Sequence, residues 1–175
     1  MLMKPFRVLV LVLLVMAGGF LIACGGDDDE EPAVEDGQME GMEHMAEPGV
    51  VSAKPDDATQ VDVRLQEWAI APGQPSVAAG KVYFLVENAG PDHPHEFVLI
   101  RTDLGPLDLP FEADKVPEDQ VDLVDEIEEF APHSSASLTV ELEAGKYLLI
   151  CNITEDDPDI GSHYKKGMVA AFTVE

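Results

Sequence analysis

The sequence predicts an all-β protein, an antiparallel β-sandwich with Greek-key connections, and three observations lead there. Short segments of alternating or continuous apolar character recur from Val61 onward, each bounded by Gly, Pro or Asp turns. About seven such segments can be counted, with no convincing amphipathic helix among them. An acidic, proline-containing stretch separates them from the N-terminus, so the folded part is a single domain over 59–175.

The elements follow in order. Val61 to Leu65 alternates with a period of two, so its valines and leucine face inward. Lys81 to Glu87 is a buried strand introduced by the turn at Ala79-Gly80, and His95 to Thr102 is another after the turn at Pro91, Asp92 and Pro94. Asp103 to Gln120, with three prolines, is a long loop. Val121 to Phe130 and Ser137 to Glu143 are strands about the turn at Ala131-Pro132, although the nearly contiguous acids of the first also permit a helix. Tyr147 to Cys151 follows Ala144-Gly145, and Met168 to Val174 closes the chain.

The N-terminal part reads differently. Lys4 and Arg7 precede the unbroken apolar run Val8 to Val15, as in a secretory signal spanning 1–23. The run is short for a membrane span, which needs about 20 apolar residues. It ends in Leu21-Ile22-Ala23-Cys24, which resembles the lipobox of bacterial lipoproteins. That resemblance implies cleavage before Cys24, lipid on Cys24, and an extracytoplasmic protein anchored to the membrane. From Gly25 to Ala58 there are twelve acidic residues against one base, Lys54, a composition that cannot offset its own ordering entropy. Residues 24–58 are therefore expected to be a disordered tether.

Charge excludes one large class of function. With 10 Lys and Arg against 35 Asp and Glu, the chain carries a formal net charge of −25 and has no electrostatic footprint for nucleic acid. The same charge suits a partner with a basic docking face.

Two cysteines cannot make a disulfide framework. With Cys24 lipidated, Cys151 is a lone thiol in an oxidising compartment, which calls for a use. His95 opens a strand, Cys151 ends one, and His163 and Met168 flank the last. Two imidazoles and a thiolate with a distant axial thioether are the donor set of a blue-copper electron-transfer site, the soft sulfurs favouring Cu(I) and the imidazoles suiting both valences. His95 is preferred to His93 because it starts the alternation His95, Phe97, Leu99 and so shares the core face. His93 and His133 then read as solvated turn residues.

At these residues the chain resembles the cupredoxins, the plastocyanin-like family. The resemblance spans Ala58 to Glu175 and rests on Glu87-Asn-Ala-Gly with Pro94-His95, Gly145-Lys-Tyr-Leu-Leu-Ile-Cys151-Asn, His163-Tyr-Lys-Lys-Gly-Met168 and the terminal strand Ala170-Ala-Phe-Thr-Val. It implies one type 1 copper ion on His95, Cys151, His163 and axial Met168, and an electron carrier rather than an enzyme. A redox partner such as a cytochrome or oxidase and a monomeric state are expected with it. The departure is the Cys to His gap, where eleven residues, Asn152 to Ser162, replace a few. Lengthening a surface loop costs little entropy, so both ligands can persist. Acids at Glu155 to Asp159, if close to copper, would favour its oxidised form, and His163, in a loop, is the expected exposed edge for electron exchange.

Three alternatives differ in class. A copper carrier or storage module would use similar ligands. A Cys151 nucleophile activated by His163 would make an enzyme, but Met168 has no part in such chemistry. Five histidines cannot furnish a multinuclear copper centre as well. Met39, Met42, His44 and Met45 form a second soft cluster in the tether, either incidental or a transient Cu(I) capture site.

Overall fold

The structure, a computed structural model, describes residues 46–175. The expected signal, Cys24 and the Met39–Met45 cluster lie outside the described residues. Among the described residues no helix is long and apolar enough to cross a membrane.

Among the described residues nine strands form two facing sheets. They are β1 (Thr59–Gln66), β2 (Ala69–Pro72), β3 (Ser76–Val77), β4 (Gly80–Asn88), β5 (His95–Arg101), β6 (Asp122–Phe130), β7 (Ser134–Leu142), β8 (Gly145–Ile150) and β9 (Val169–Val174). A one-turn helix, α1 (His163–Lys166), precedes β9. One sheet has the order β2-β1-β4-β7 and the other β3-β9-β8-β5-β6.

The β-sandwich is as expected, and within it the sheets are mixed rather than purely antiparallel. β1 pairs parallel with β4 and β3 parallel with β9. β1 and β2 form a hairpin through Glu67 and Trp68; after β2 the chain crosses to the second sheet for β3 and returns as β4 beside β1, so no hairpin joins β1 to β4. Val121 to Phe130, for which a helix was possible, is a strand paired antiparallel with β5.

Alternation along the strands builds the core. Val61, Val63 and Leu65 of β1 and Val82, Phe84 and Val86 of β4 meet Phe97, Leu99, Leu149 and Phe172 of the opposite sheet. Phe84 sits at the centre, its ring 5.2 Å from Phe97 and 5.7 Å from Phe172, distances at which aromatic pairs add to simple burial.

β5 and β8 are buried on both faces. Their outward residues, Val98, Ile100, Leu148 and Ile150, pack under Leu109 and Val116 of the long loop and under Tyr164 of α1. The Tyr164 hydroxyl accepts a hydrogen bond from the Leu109 amide at 3.3 Å, tying the loop to the helix. This explains the apolar run of β5, which lacks the half-polar alternation of β1.

The folded unit begins earlier than 59. The Ala131 amide donates to the Glu47 carbonyl at 2.9 Å and the Ser137 amide to the Val50 carbonyl at 3.0 Å. The Tyr83 hydroxyl donates to the Ser52 carbonyl at 2.8 Å. Residues 47–52 thus cover the outer edge of β7, and within the expected tether they form part of the sandwich.

Candidate metal centre

The sandwich gathers His95, Cys151 and His163 at one end. His95 begins β5 after a loop held by Asn88, whose side chain donates to the carbonyls of His93 and Phe130, each at 3.1 Å. Cys151 follows β8 directly, and its amide donates to the Met168 carbonyl at 3.1 Å. His163 opens α1, with Ser162 as its N-cap and its own amide donating to the Ile153 carbonyl at 3.0 Å.

Gly167 ends α1 in the left-handed region at φ 116°, a conformation glycine adopts without steric cost. The Met168 amide then donates to the His163 carbonyl at 3.1 Å, turning the chain back towards Cys151. His95, Cys151, His163 and Met168 are all 0% exposed.

Three donor atoms converge. His163 Nδ1 lies 3.3 Å from Cys151 Sγ and 3.3 Å from His95 Nδ1, and His95 Nδ1 lies 3.9 Å from Cys151 Sγ. A first-row ion about 2.0–2.1 Å from imidazole nitrogen and about 2.3 Å from thiolate sulfur sets trigonal donors roughly 3.5–3.8 Å apart. The three side chains therefore fit one such ion, and their chemistry, two imidazoles with one thiolate, is the set that suits copper in both valences.

Burial shapes the protonation of the group. It pushes His95 down to about 4, helped by neighbouring His163 and opposed by Glu67. It lowers His163 as well, against the Glu155 hydrogen bond. Neutral imidazoles with free lone pairs result, as ligands require. Burial, and then the charge of Glu96, pushes the Cys151 thiol far up, while the Glu96 amide donates to Sγ at 3.5 Å.

Of the neighbours, Glu155 belongs to the acidic run already noted, whereas Glu67 and Trp68 were not singled out in the sequence. Glu155 Oε1 lies 3.0 Å from His163 Nε2 and 2.8 Å from His93 Nδ1. Glu67 Oε1 accepts from the amides of His93 at 2.8 Å and Asp92 at 3.1 Å, and lies 3.9 Å from His95 Nε2. Burial alone would raise the Glu67 carboxyl, but those backbone donors hold it below its ordinary value. The Trp68 ring meets His163 edge-on at 4.7 Å and His93 at 5.2 Å.

Two expectations need correction here. His93 is a half-buried residue bonded to Glu155 and packed on Trp68, because the Cys to His loop folds back over the turn that carries it. His163 presents no exposed edge, since Trp68, His93 and Glu155 cover it. His133, by contrast, is exposed in its turn.

The described chain is a cupredoxin-fold domain, as a solved structure bears out. It is similar to sodium dithionite-reduced auracyanin from the photosynthetic bacterium Roseiflexus castenholzii, with 18% identity over 67% of this chain and 98% of that one and a TM-score of 0.50. Auracyanin A, described as a "blue" copper protein from the green thermophilic photosynthetic bacterium Chloroflexus aurantiacus, matches at 19% identity over 67% of this chain and 99% of that one, with a TM-score of 0.48. No protein-family model and no curated protein matches the chain.

Proposed function

We propose that this chain is an electron-transfer protein with a mononuclear type 1 copper centre on His95, Cys151 and His163, with Met168 as the axial ligand. One observation carries the reading: two imidazole nitrogens and a thiol sulfur meet within 3.3–3.9 Å in a site with no exposed ligand. Copper there supplies one-electron exchange between two valences. The chain's own part is to hold neutral imidazoles and a desolvated sulfur on two rigid strands and one short helix, so that little rearranges with the charge.

The same burial disfavours the other readings. A carrier that hands metal to another protein needs a ligand the recipient can reach, and His95, Cys151 and His163 are 0% exposed. A nucleophilic Cys151 needs an accessible thiolate, whereas burial holds this thiol protonated. Export, lipid attachment at Cys24, an extracytoplasmic location, a monomeric state and a redox partner with a basic docking face belong to the same proposal. They are supported by the lipobox-like Leu21 to Cys24 and by the net charge of −25.

Visible and paramagnetic-resonance spectra of the copper-loaded chain test the proposal, with Cys151→Ser as control. The parent should show intense visible absorption that the control lacks. A control as blue as the parent refutes the ligand assignment.

A further inference from the structure

The eleven residues between Cys151 and His163 bring a carboxylate to the outward nitrogen of a ligand imidazole. The loop is internally braced: the Thr154 and Ser162 backbones form a bridge, the Glu155 amide donates to the Gly161 carbonyl at 3.2 Å, and the Gly161 amide donates to the Asp157 carbonyl at 2.8 Å. Lys166 Nζ donates to the Asp159 carbonyl at 2.6 Å, fastening the loop to α1. Glu155 is thus held over the site.

An ionised carboxylate only accepts hydrogen bonds, so the two nitrogens that reach Glu155 Oε1 must both be donors. His163 therefore carries its proton on Nε2 and keeps Nδ1 bare, 3.3 Å from Cys151 Sγ. His93 carries its proton on Nδ1, and its amide is anchored on Glu67. Trp68 closes the remaining side of His163.

We infer that Glu155 is a positioning residue of the metal centre. It fixes His163 in the tautomer that offers Nδ1 to the ion and, with His93 and Trp68, seals the imidazole edge from solvent. The lengthened loop thereby gains a role, which rests on the copper reading for its use but not for its geometry. A carboxylate behind a ligand histidine orients the ring and raises its basicity.

Nitrogen NMR of the imidazoles in the metal-free full chain tests the geometry without copper. The parent should show His163 as the Nε2–H form. Glu155→Gln, whose amide oxygen still accepts, should keep that form, whereas Glu155→Ala should populate the Nδ1–H form. With copper added, Glu155→Ala should bind about 10–100-fold more weakly. Both variants should show a higher reduction potential, because the negative charge beside the oxidised ion is gone. A purely structural loop residue would not move the tautomer or the potential. Glu155→Ala with His163 still in the Nε2–H form and with unchanged copper affinity overturns the inference. A parent that binds copper without turning blue refutes the type 1 reading alone, and the metal-free tautomers then decide the role of Glu155 by themselves.

Discussion

Replacing Glu96 with Gln should stabilise the metal-free protein in alkaline solution and leave it unchanged in acid. Glu96 follows His95 on β5, and its Oε1 accepts a hydrogen bond from the Asn152 amide at 2.5 Å. Burial, reinforced by Glu118 and Glu126 and opposed by that amide, raises its carboxyl from 4.5 to about 7. Between those values the folded chain holds a proton that the unfolded chain has released. Stability therefore falls as pH rises through the window. At about 1.4 kcal/mol per tenfold change in proton affinity, the full cost above neutral pH is about 3 kcal/mol.

Gln keeps an oxygen for the Asn152 amide and removes the charge. Urea unfolding of reduced, metal-free parent and variant from about pH 4 to about pH 8 measures the difference. The curves should coincide at the acid end and separate by up to about 3 kcal/mol at the other, a midpoint shift of roughly 1 M or more. His95, lowered to about 4, acts in the opposite sense in both proteins: its contribution is present above its ordinary 6.5 and lost as pH falls towards 4. The parent should thus be nearly flat across mildly acid pH, while the variant gains stability as pH rises. Parallel curves for the two proteins would show that Glu96 is ionised in the fold and would refute the reasoning.

Trp68 is the single tryptophan and lies 4.7 Å from the His163 ring, so copper binding should quench its emission, with the titration breaking at one ion per chain. Tyr164→Phe leaves the buried Leu109 amide without its acceptor; it should cost about 1–3 kcal/mol in denaturant unfolding and speed hydrogen exchange at Leu109. Gly167→Ala forces a side chain into the left-handed region with its Cβ 3.3 Å from the Trp68 carbonyl. It should lower stability by about 1–3 kcal/mol in thermal unfolding and shift Trp68 emission.

Much of the fold was legible because burial imposes a pattern on the strands. The alternation of Val61, Val63 and Leu65 and the apolar run of β5 record which faces are covered. β2 and β3, four and two residues long, are too short to show a period. The parallel pairing of β1 with β4 depends on a crossover that no local pattern encodes. The converging donors were legible as His95, Cys151 and His163 because those residue types are scarce in this chain. Glu67 is one of many acids and Glu155 was legible only as part of a run that could approach the metal; nothing local separates either from solvated ones. Their roles arise from a loop folding back and from a turn reaching across to the other sheet, contacts between residues far apart in sequence. The segment from Glu47 to Ser52 escaped for a similar reason: its composition is that of a tether, but its backbone finds partners on β7.

The double covering of β5 and β8 divides the centre into two mechanical halves. His95 and Cys151 extend from the strands packed between a sheet and a loop, which local opening should reach last. His163 and Met168 sit on a four-residue helix and the glycine corner after it, held by backbone bonds, by the packing of Tyr164 on β5 and β8 and by burial of Met168 in the core. An ion entering or leaving should do so by the lifting of that smaller jaw while the larger one stays shut.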